Sequence, residues 1–208
     1  MVIHAPFEAI RVSAQISRIR TTGRFRPMNP PQIAPHYANV LNQQKGPMKD
    51  LTQLSPAALL ALHAKISEEL RKRGITRSSN NPVGDLAEHL FCKAFGWDQA
   101  SNSNANLDAI GPDGKTYQIK GRRITHHNNS RQLSAIRELK GKNFDFLAGV
   151  LFEEDYSILR AAIIPHAIVM ANSTYVERTN SHRFLLRDEI WEEHGVKDVT
   201  NQLRSITL

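Results

Sequence analysis

Asn106-Leu107-Asp108-Ala109-Ile110-Gly111-Pro112-Asp113-Gly114-Lys115-Thr116-Tyr117-Gln118-Ile119-Lys120-Gly121-Arg122-Arg123 is the stretch whose reading decides the fold. Two strand-like runs flank a turn, and the turn sets their register. Pro112 supplies the φ wanted early in a type I turn, Asp113 suits the next position, and Gly114 can take the left-handed conformation that closes a three-residue loop with a bulge. Gly111 then pairs with Lys115, Ala109 lies opposite Tyr117, and Asp108 lies opposite Gln118, because residues directly across a ladder share a face. Lys120, two residues beyond Gln118, joins that face. The expectation is a hairpin that turns Tyr117 and Ile119 onto a core and Asp108, Gln118 and Lys120 into a polar site. The competing reading is an ordinary hairpin with three solvated residues.

Charge gathers around this hairpin. The chain carries a net +7 over 208 residues. Residues 1–50 hold 7 Lys/Arg against 2 acids and residues 115–142 hold 8 against 1, whereas residues 51–114 and 143–208 are balanced or acidic. Lys and Arg that displace counterions from phosphates supply most sequence-independent nucleic-acid affinity, so a polyanion is the expected partner, set against a basic face that serves solubility. The single cysteine, Cys92, excludes a disulfide framework and a cysteine-based zinc site; its apolar neighbours predict a buried structural thiol of a reduced compartment. With no apolar run of membrane-spanning length and no visible signal peptide, a cytoplasmic location without membrane attachment is expected.

The length suits one domain, taken as residues 51–208, preceded by an extension. Pro27, Pro30, Pro31, Pro35 and Pro47 break any element in residues 1–50, and Arg11, Arg18, Arg20, Arg24 and Arg26 are scattered there without acidic partners. A flexible basic arm, an organelle-type presequence and an overextended start with initiation at Met28 or Met48 all fit that stretch. Ser55 and Pro56 read as an N-cap followed by first-turn proline, and Leu59, Leu62, Ile66 and Leu70 recur at helical spacing up to Gly74, which predicts a packing helix with His63 semi-buried beside its stripe. A loop containing Arg77, Asn80 and Asn81 leads to a second helix from Pro82 to near Gly96.

That second helix places Val83, Leu86, Ala87, Leu90, Phe91, Ala94 and Phe95 on one arc, with Glu88 at its rim and Gly84 one turn earlier on the same side. A carboxylate at the edge of a buried face is costly unless it meets a metal or a cation, so Glu88 is either a ligand or half of a buried salt bridge to an arginine. Asp85 reads as a first-turn acid favoured by the helix macrodipole. Beyond the hairpin, a basic loop over residues 122–131 and a short helix over Ser130–Leu139 are expected, with Leu133, Ile136 and Leu139 inward. The apolar run Phe144–Phe152 reads as a central strand covered on both faces. A strand over Ser157–Ile164, a short helix from Pro165 to Met170, a last strand around Phe184–Leu186 and a helical region with Trp191 complete an α/β fold, a mixed β-sheet flanked by helices in α-β-β-α-β-β order with additions.

A helix with Glu88, a strand with Asp108 and a following strand with Gln118, Ile119 and Lys120 resemble the PD-(D/E)xK nuclease superfamily, the restriction-endonuclease-like fold. The resemblance spans roughly residues 51–165, and Asn80–Glu88 with Tyr117–Arg123 looks like an uncharacterised bacterial branch of it. Asn106 and Leu107 stand where a proline often precedes the aspartate, and Gln118 replaces the usual second acid, as in some methyl-directed members. The resemblance implies Mg²⁺, with Mn²⁺ a possible substitute, held by Asp108, by the Ile119 backbone carbonyl, and by Glu88 or Gln118. Lys120 would orient or deprotonate the attacking water and stabilise developing charge. Arg122, Arg123 and Arg131 would hold the phosphate backbone, and Arg77 and Asn80 would reach a groove. Gln118 brings no charge, which makes Glu88 more important.

The implied activity is metal-dependent hydrolysis of DNA, as an endonuclease of restriction or phage-defence type, with RNA a second candidate substrate. The alternative is a non-catalytic DNA-binding module that keeps the nuclease fold. A lone chain of this size would cut one strand, so a homodimer, or a partner such as a methyltransferase or another defence subunit, is expected. His126 and His127 read as a loop pair near phosphates, and His166, His182 and His194 show no ligand spacing.

Overall fold

A computed structural model of the protein describes residues 50–78, 80–100 and 107–208. The basic stretch with its five scattered arginines, and Asn106 at the start of the decisive sequence, lie outside the described residues.

Helix α1 (Pro56–Lys72) begins as its sequence predicts: Pro56 occupies the first turn and Ser55 Oγ accepts the Ala58 N–H at 3.2 Å. It does not pack as expected. None of its residues is buried, Leu60 and Ile66 are 72% and 51% exposed, and His63 is exposed as well. Helical spacing aligns an apolar stripe, but only a partner can bury it. Local terms are what α1 displays: the cap and the Arg71–Glu68 and Arg73–Glu69 ion pairs at 2.8 and 2.9 Å.

Helix α2 (Val83–Phe95) is amphipathic in the way its sequence implies, with Leu86, Ala87, Leu90 and Phe91 buried. Asn81 Oδ1 accepts the Val83 N–H at 3.1 Å and organises the helix start. Its apolar face lies on a six-stranded sheet built from β1 (Asp98–Gln99), β2 (Ala109–Ile110), β3 (Thr116–Arg123), β4 (Phe146–Phe152), β5 (Ile158–Pro165) and β8 (Lys197–Asp198), in the spatial order β1-β2-β3-β4-β5-β8. Only β3 and β4 are parallel, so the sheet is mixed. Both edge strands are two residues long, which leaves little unpaired backbone exposed.

The hairpin register is the expected one for Ala109 with Tyr117 and Ile110 with Thr116, but the expected pairing of Asp108 with Gln118 does not form, since β2 begins at Ala109 and the Asp108 N–H donates to the Tyr117 carbonyl. Gly111 N–H donates to the Lys115 carbonyl at 2.8 Å, and Gly114 takes φ +75°. At Gly121 the constraint is close approach. A Cβ there would lie 2.8 Å from the Val83 carbonyl oxygen and 3.2 Å from Ala87 Cβ, so a bare α-carbon lets the start of α2 sit directly on β3. Beside it runs an aromatic seam in which Trp97 stacks on Tyr117 with ring centroids 3.7 Å apart and on Phe95 at 5.1 Å.

Each face of the sheet carries its own core. On one side Tyr117, Ile119, Ala148, Val150 and Ala161 pack under α2 and the C-terminal helix α4 (Thr200–Arg204). On the other, Leu147, Leu151, Ala162 and Ile164 meet Leu133, Ile136, Leu139, Val169, Phe184 and Leu186. Strand β4 is therefore apolar on both faces, as its unbroken run implies. Helix α3 (His166–Ala171) follows Pro165 where expected.

The segment between the parallel strands departs from expectation. Residues 130–138 form no helix. Leu133 N–H donates to the Phe184 carbonyl at 3.0 Å, and Ile136 and His182 exchange backbone hydrogen bonds of 3.1 and 2.7 Å. Leu133, Ile136 and Leu139 point inward all the same, Leu133 and Ile136 from an extended chain lying beside the hairpin β6 (Ser173–Val176) and β7 (Ser181–Phe184), and Leu139 from the 3₁₀ turn Leu139–Gly141 that follows. The expected last strand thus ends at Phe184 instead of starting there, and has a partner, β6, that its sequence does not announce. Arg122 and Arg123 belong to the end of β3, not to a loop. The helical region around Trp191 is a 3₁₀ segment, Asp188–Glu192.

Candidate active site

Strand β2 begins only at Ala109, and the position before it on the ladder is filled by a side chain. Asp108 N–H donates to the Tyr117 carbonyl at 2.9 Å, while Asp108 Oδ2 accepts the Ile119 N–H at 2.7 Å and lies 3.5 Å from Lys120 Nζ. The carboxylate takes the place of the backbone acceptor that a longer β2 would have presented to Ile119. In a strand, the N–H and C=O of one residue point to the same neighbour. The Ile119 carbonyl therefore faces the same open edge as Asp108. The Asp108 and Lys120 side chains are 19% and 18% exposed, shielded enough for their charges to be felt strongly and open enough to meet a solute.

Glu88 reaches this neighbourhood from α2. Its side chain is 14% exposed and forms a close ion pair with Arg77, and Gln99 Nε2 donates to its Oε2 at 2.9 Å. Of the two readings that Glu88 admits, the salt bridge to an arginine is present. Burial pushes the Glu88 carboxyl above the usual glutamate range, and the negative charge of Asp108 pushes it further, with Arg77 and the Gln99 hydrogen bond opposing. Arg77 is held in place by its own loop: Arg77 N–H, Ser78 N–H and Ser78 Oγ all donate to Asp85 Oδ2, at 3.0, 2.9 and 2.9 Å. Asp85 thus does more than favour the helix dipole. Gly84 makes no special room for Glu88, since a Cβ there would meet nothing within 4 Å.

Gln118 is not on an open polar face. It is 4% exposed, paired in register with Leu147 of the second core, and its Oε1 is buried without a hydrogen-bond partner. The face that hairpin alternation leaves wet is roofed by the extended crossover and the β6–β7 region, and at Gln118 that cover is complete. Lys120 shares the row and pairs with Gly149, over which Leu186 and Leu133 close so tightly that a Cβ would lie 3.0 Å from Leu186 Cδ2. A buried acceptor with no protein donor calls for a partner such as an ordered water or an ion.

The arginines expected at phosphates are largely engaged by the protein itself. Arg77 Nη1 donates to the Ala100 carbonyl at 3.1 Å in addition to binding Glu88, so it is turned inward and not into a groove. Arg122 Nε donates to the Ser130 carbonyl at 3.0 Å, Arg131 binds Asp188 at 2.8 Å, and the Arg123 guanidinium lies 4.7 Å over the Tyr156 ring. Asn80 is exposed, and its N–H reaches back to Ser78 Oγ at 3.4 Å, an arrangement that orders the loop. His126 Nδ1 contacts Glu154 at 2.9 Å.

Among the described residues, no three His, Cys, Asp or Glu side chains gather closely enough to enclose a metal by themselves. Cys92 is half-buried, not fully buried, and burial together with the charge of Glu88 raises its thiol to about 11. No helix among the described residues is long and apolar enough to cross a membrane. Gln99 and Ala100, which bind Glu88 and Arg77, escape sequence reasoning, because a two-residue strand carries no periodic signal. Compared with known proteins, the chain matches no family model and no curated protein.

Proposed function

We propose that the protein is a metal-dependent nuclease of the restriction-endonuclease-like, PD-(D/E)xK type that hydrolyses phosphodiester bonds in DNA. The observation that carries this reading is the Asp108 carboxylate fixed by the Ile119 N–H beside the Lys120 ammonium, where the backbone edge of β3 opens.

The residues present fit a hard divalent cation such as Mg²⁺ or Mn²⁺. Mg²⁺ takes oxygen ligands, commonly one or two carboxylates with water and substrate phosphate. Asp108, the Ile119 carbonyl and the unpartnered Gln118 Oε1 are the donors that would hold it, with Glu88 the reserve carboxylate if Arg77 moves aside. Bound there, such an ion supplies charge neutralisation for the phosphorane and acidifies the attacking water. The protein's own part is positioning and electrostatics. The Ile119 N–H holds Asp108 in one rotamer, so its second oxygen keeps a fixed direction. Lys120 offers an ammonium to the negative charge that grows on the scissile phosphate, and as a hydrogen-bond donor it orients the water. Arg77 balances Glu88 and can turn its fork to a phosphate oxygen once substrate competes for it.

A second reading, a binding module that keeps the fold without hydrolysis, is favoured by one observation: Glu88 is occupied by Arg77. Nicking of supercoiled plasmid in Mg²⁺ and Mn²⁺ distinguishes the two. Cleavage lost in Asp108→Ala and Lys120→Ala supports the nuclease. Cleavage unaffected by both variants refutes the assignment of these residues, and binding without cleavage in either metal supports the module. Parallel assays on RNA identify the substrate, and light scattering tests whether a second copy supplies the cut on the other strand.

A further inference from the structure

We propose that the β6–β7 hairpin and the chain segment beside it form a second nucleic-acid site, one that grips an unpaired strand by stacking a base on Tyr175. This extends the nuclease reading by naming the form of nucleic acid that is held, and it stands on contacts that use none of the residues placed with Asp108.

Three extended segments lie side by side here. Ile136 and His182 exchange backbone hydrogen bonds, and β7 pairs with β6 so that Tyr175 faces His182 across the ladder. In register two residues along, Phe184 is wholly buried, so Tyr175 sits on the inward row just past the point where the core ends. It is 49% exposed. The ring is nevertheless fixed: its hydroxyl donates to Asn180 Oδ1 at 3.0 Å, and the His182 ring lies tilted against it at 5.2 Å. Lys140 Nζ stands 5.7 Å over the ring centroid. A large aromatic held rigid and half in water, with an ammonium at its face, is the combination that single-strand sites use: the ring stacks on a base and the cation meets its phosphate.

The surrounding charge has the same sign. Arg137, Lys140, Lys142, Arg178 and Arg183 are all exposed, and the stretches that carry them, residues 137–142 and 173–183, contain two acids, Glu138 and Glu177. Arg122, Arg131 and Arg77, by contrast, are bound to protein acceptors. Of the exposed cations of the basic segment, Arg137, Lys140 and Lys142 lie in the stretch that runs beside the hairpin, and Lys115 lies just before the start of β3. A duplex or an acidic peptide would satisfy these cations but would offer the Tyr175 ring no unpaired base to stack on.

Fluorescence anisotropy of the full chain in EDTA, with labelled oligo-dT, oligo-rU and a matched duplex, tests the proposal, and the chelator keeps binding separate from any cleavage. Tyr175→Ala is expected to weaken single-strand binding roughly 5- to 100-fold while duplex binding stays within about twofold. Tyr175→Trp, which keeps a stacking face, is expected to preserve binding, and Lys140→Ala to shrink the slope of log affinity against log salt by about 0.7. Equal losses on single strand and duplex, no loss in Tyr175→Ala, or a Tyr175→Trp variant that melts like wild type yet does not bind would each overturn it. If the single strand binds as proposed and no metal supports cleavage, the hydrolytic reading fails and this one stands. The dT and rU arms decide between DNA and RNA.

Discussion

Replacing Asp108 separates the two jobs that its carboxylate performs. Asp108 Oδ2 is the acceptor for the Ile119 N–H at 2.7 Å, and Ile119 as a whole is 3% exposed. Asp108→Ala leaves that donor without an acceptor, at a cost of about 1–3 kcal/mol. The pair with Lys120, long at 3.5 Å and partly exposed on both sides, adds no more than about 1 kcal/mol. The expected loss is therefore about 1–4 kcal/mol, or a fall in Tm of about 2–16 °C for a chain of this size. Asp108→Asn keeps an oxygen for the Ile119 N–H and surrenders only charge, so its Tm should fall by no more than about 4 °C. Both variants should lose metal-dependent nicking by at least about 100-fold, because the negative ligand and the partner of Lys120 are gone. Thermal denaturation by circular dichroism and a plasmid nicking time course are the two assays. If Asp108→Ala is as stable as Asp108→Asn, the carboxylate does not cap β3. If Asp108→Asn cleaves at the wild-type rate, the catalytic role is refuted.

Gly121→Ala should destabilise by about 1–3 kcal/mol, seen as a lower urea midpoint with unchanged slope, since the new Cβ meets the Val83 carbonyl oxygen at 2.8 Å and α2 must lift from β3; an unchanged midpoint contradicts that close approach. Cys92, with its thiol raised to about 11, should react with a thiol reagent at pH 8 about a hundredfold more slowly in the native protein than after unfolding, and equal rates would show the thiol unprotected. Glu88 has its carboxyl raised in the fold, chiefly by burial, so its contribution to stability is present below the ordinary glutamate range and is lost as pH rises through the raised value. Wild type should accordingly lose stability relative to Glu88→Gln over that rise and hold a constant difference above it. A wild type that gains on Glu88→Gln with rising pH would reverse the assignment.

Local chemistry made part of the site legible. Pro112, Asp113 and Gly114 dictate a turn, the turn dictates the Ala109–Tyr117 register, and the register brings Asp108 to the edge of β3 near Lys120. Period and capping likewise revealed α1 and α2 and marked Glu88 as a carboxylate in need of a partner. What these signals share is range: each depends on residues a few positions apart.

Tertiary structure decided whatever depends on distant chain. Leu133, Ile136 and Leu139 repeat every third residue like a helix, but the backbone partners of Leu133 and Ile136, the Phe184 and His182 carbonyls and the His182 N–H, belong to a hairpin far along the chain, and those bonds hold that segment extended. The same roof buries Gln118, which strand alternation alone leaves in water. The stripe of α1 has the right period, and none of its residues is buried. Arg77 and Arg131 are cations by sequence, but Glu88 and Asp188, brought beside them only by the fold, determine that they face acids. Sequence by itself determined which residues could form an element and which face they would share, because φ preference, period and charge are properties of neighbours. Which faces meet protein and which meet solvent is a property of the whole chain, and on that depends the difference between a ligand, a salt bridge and a buried amide.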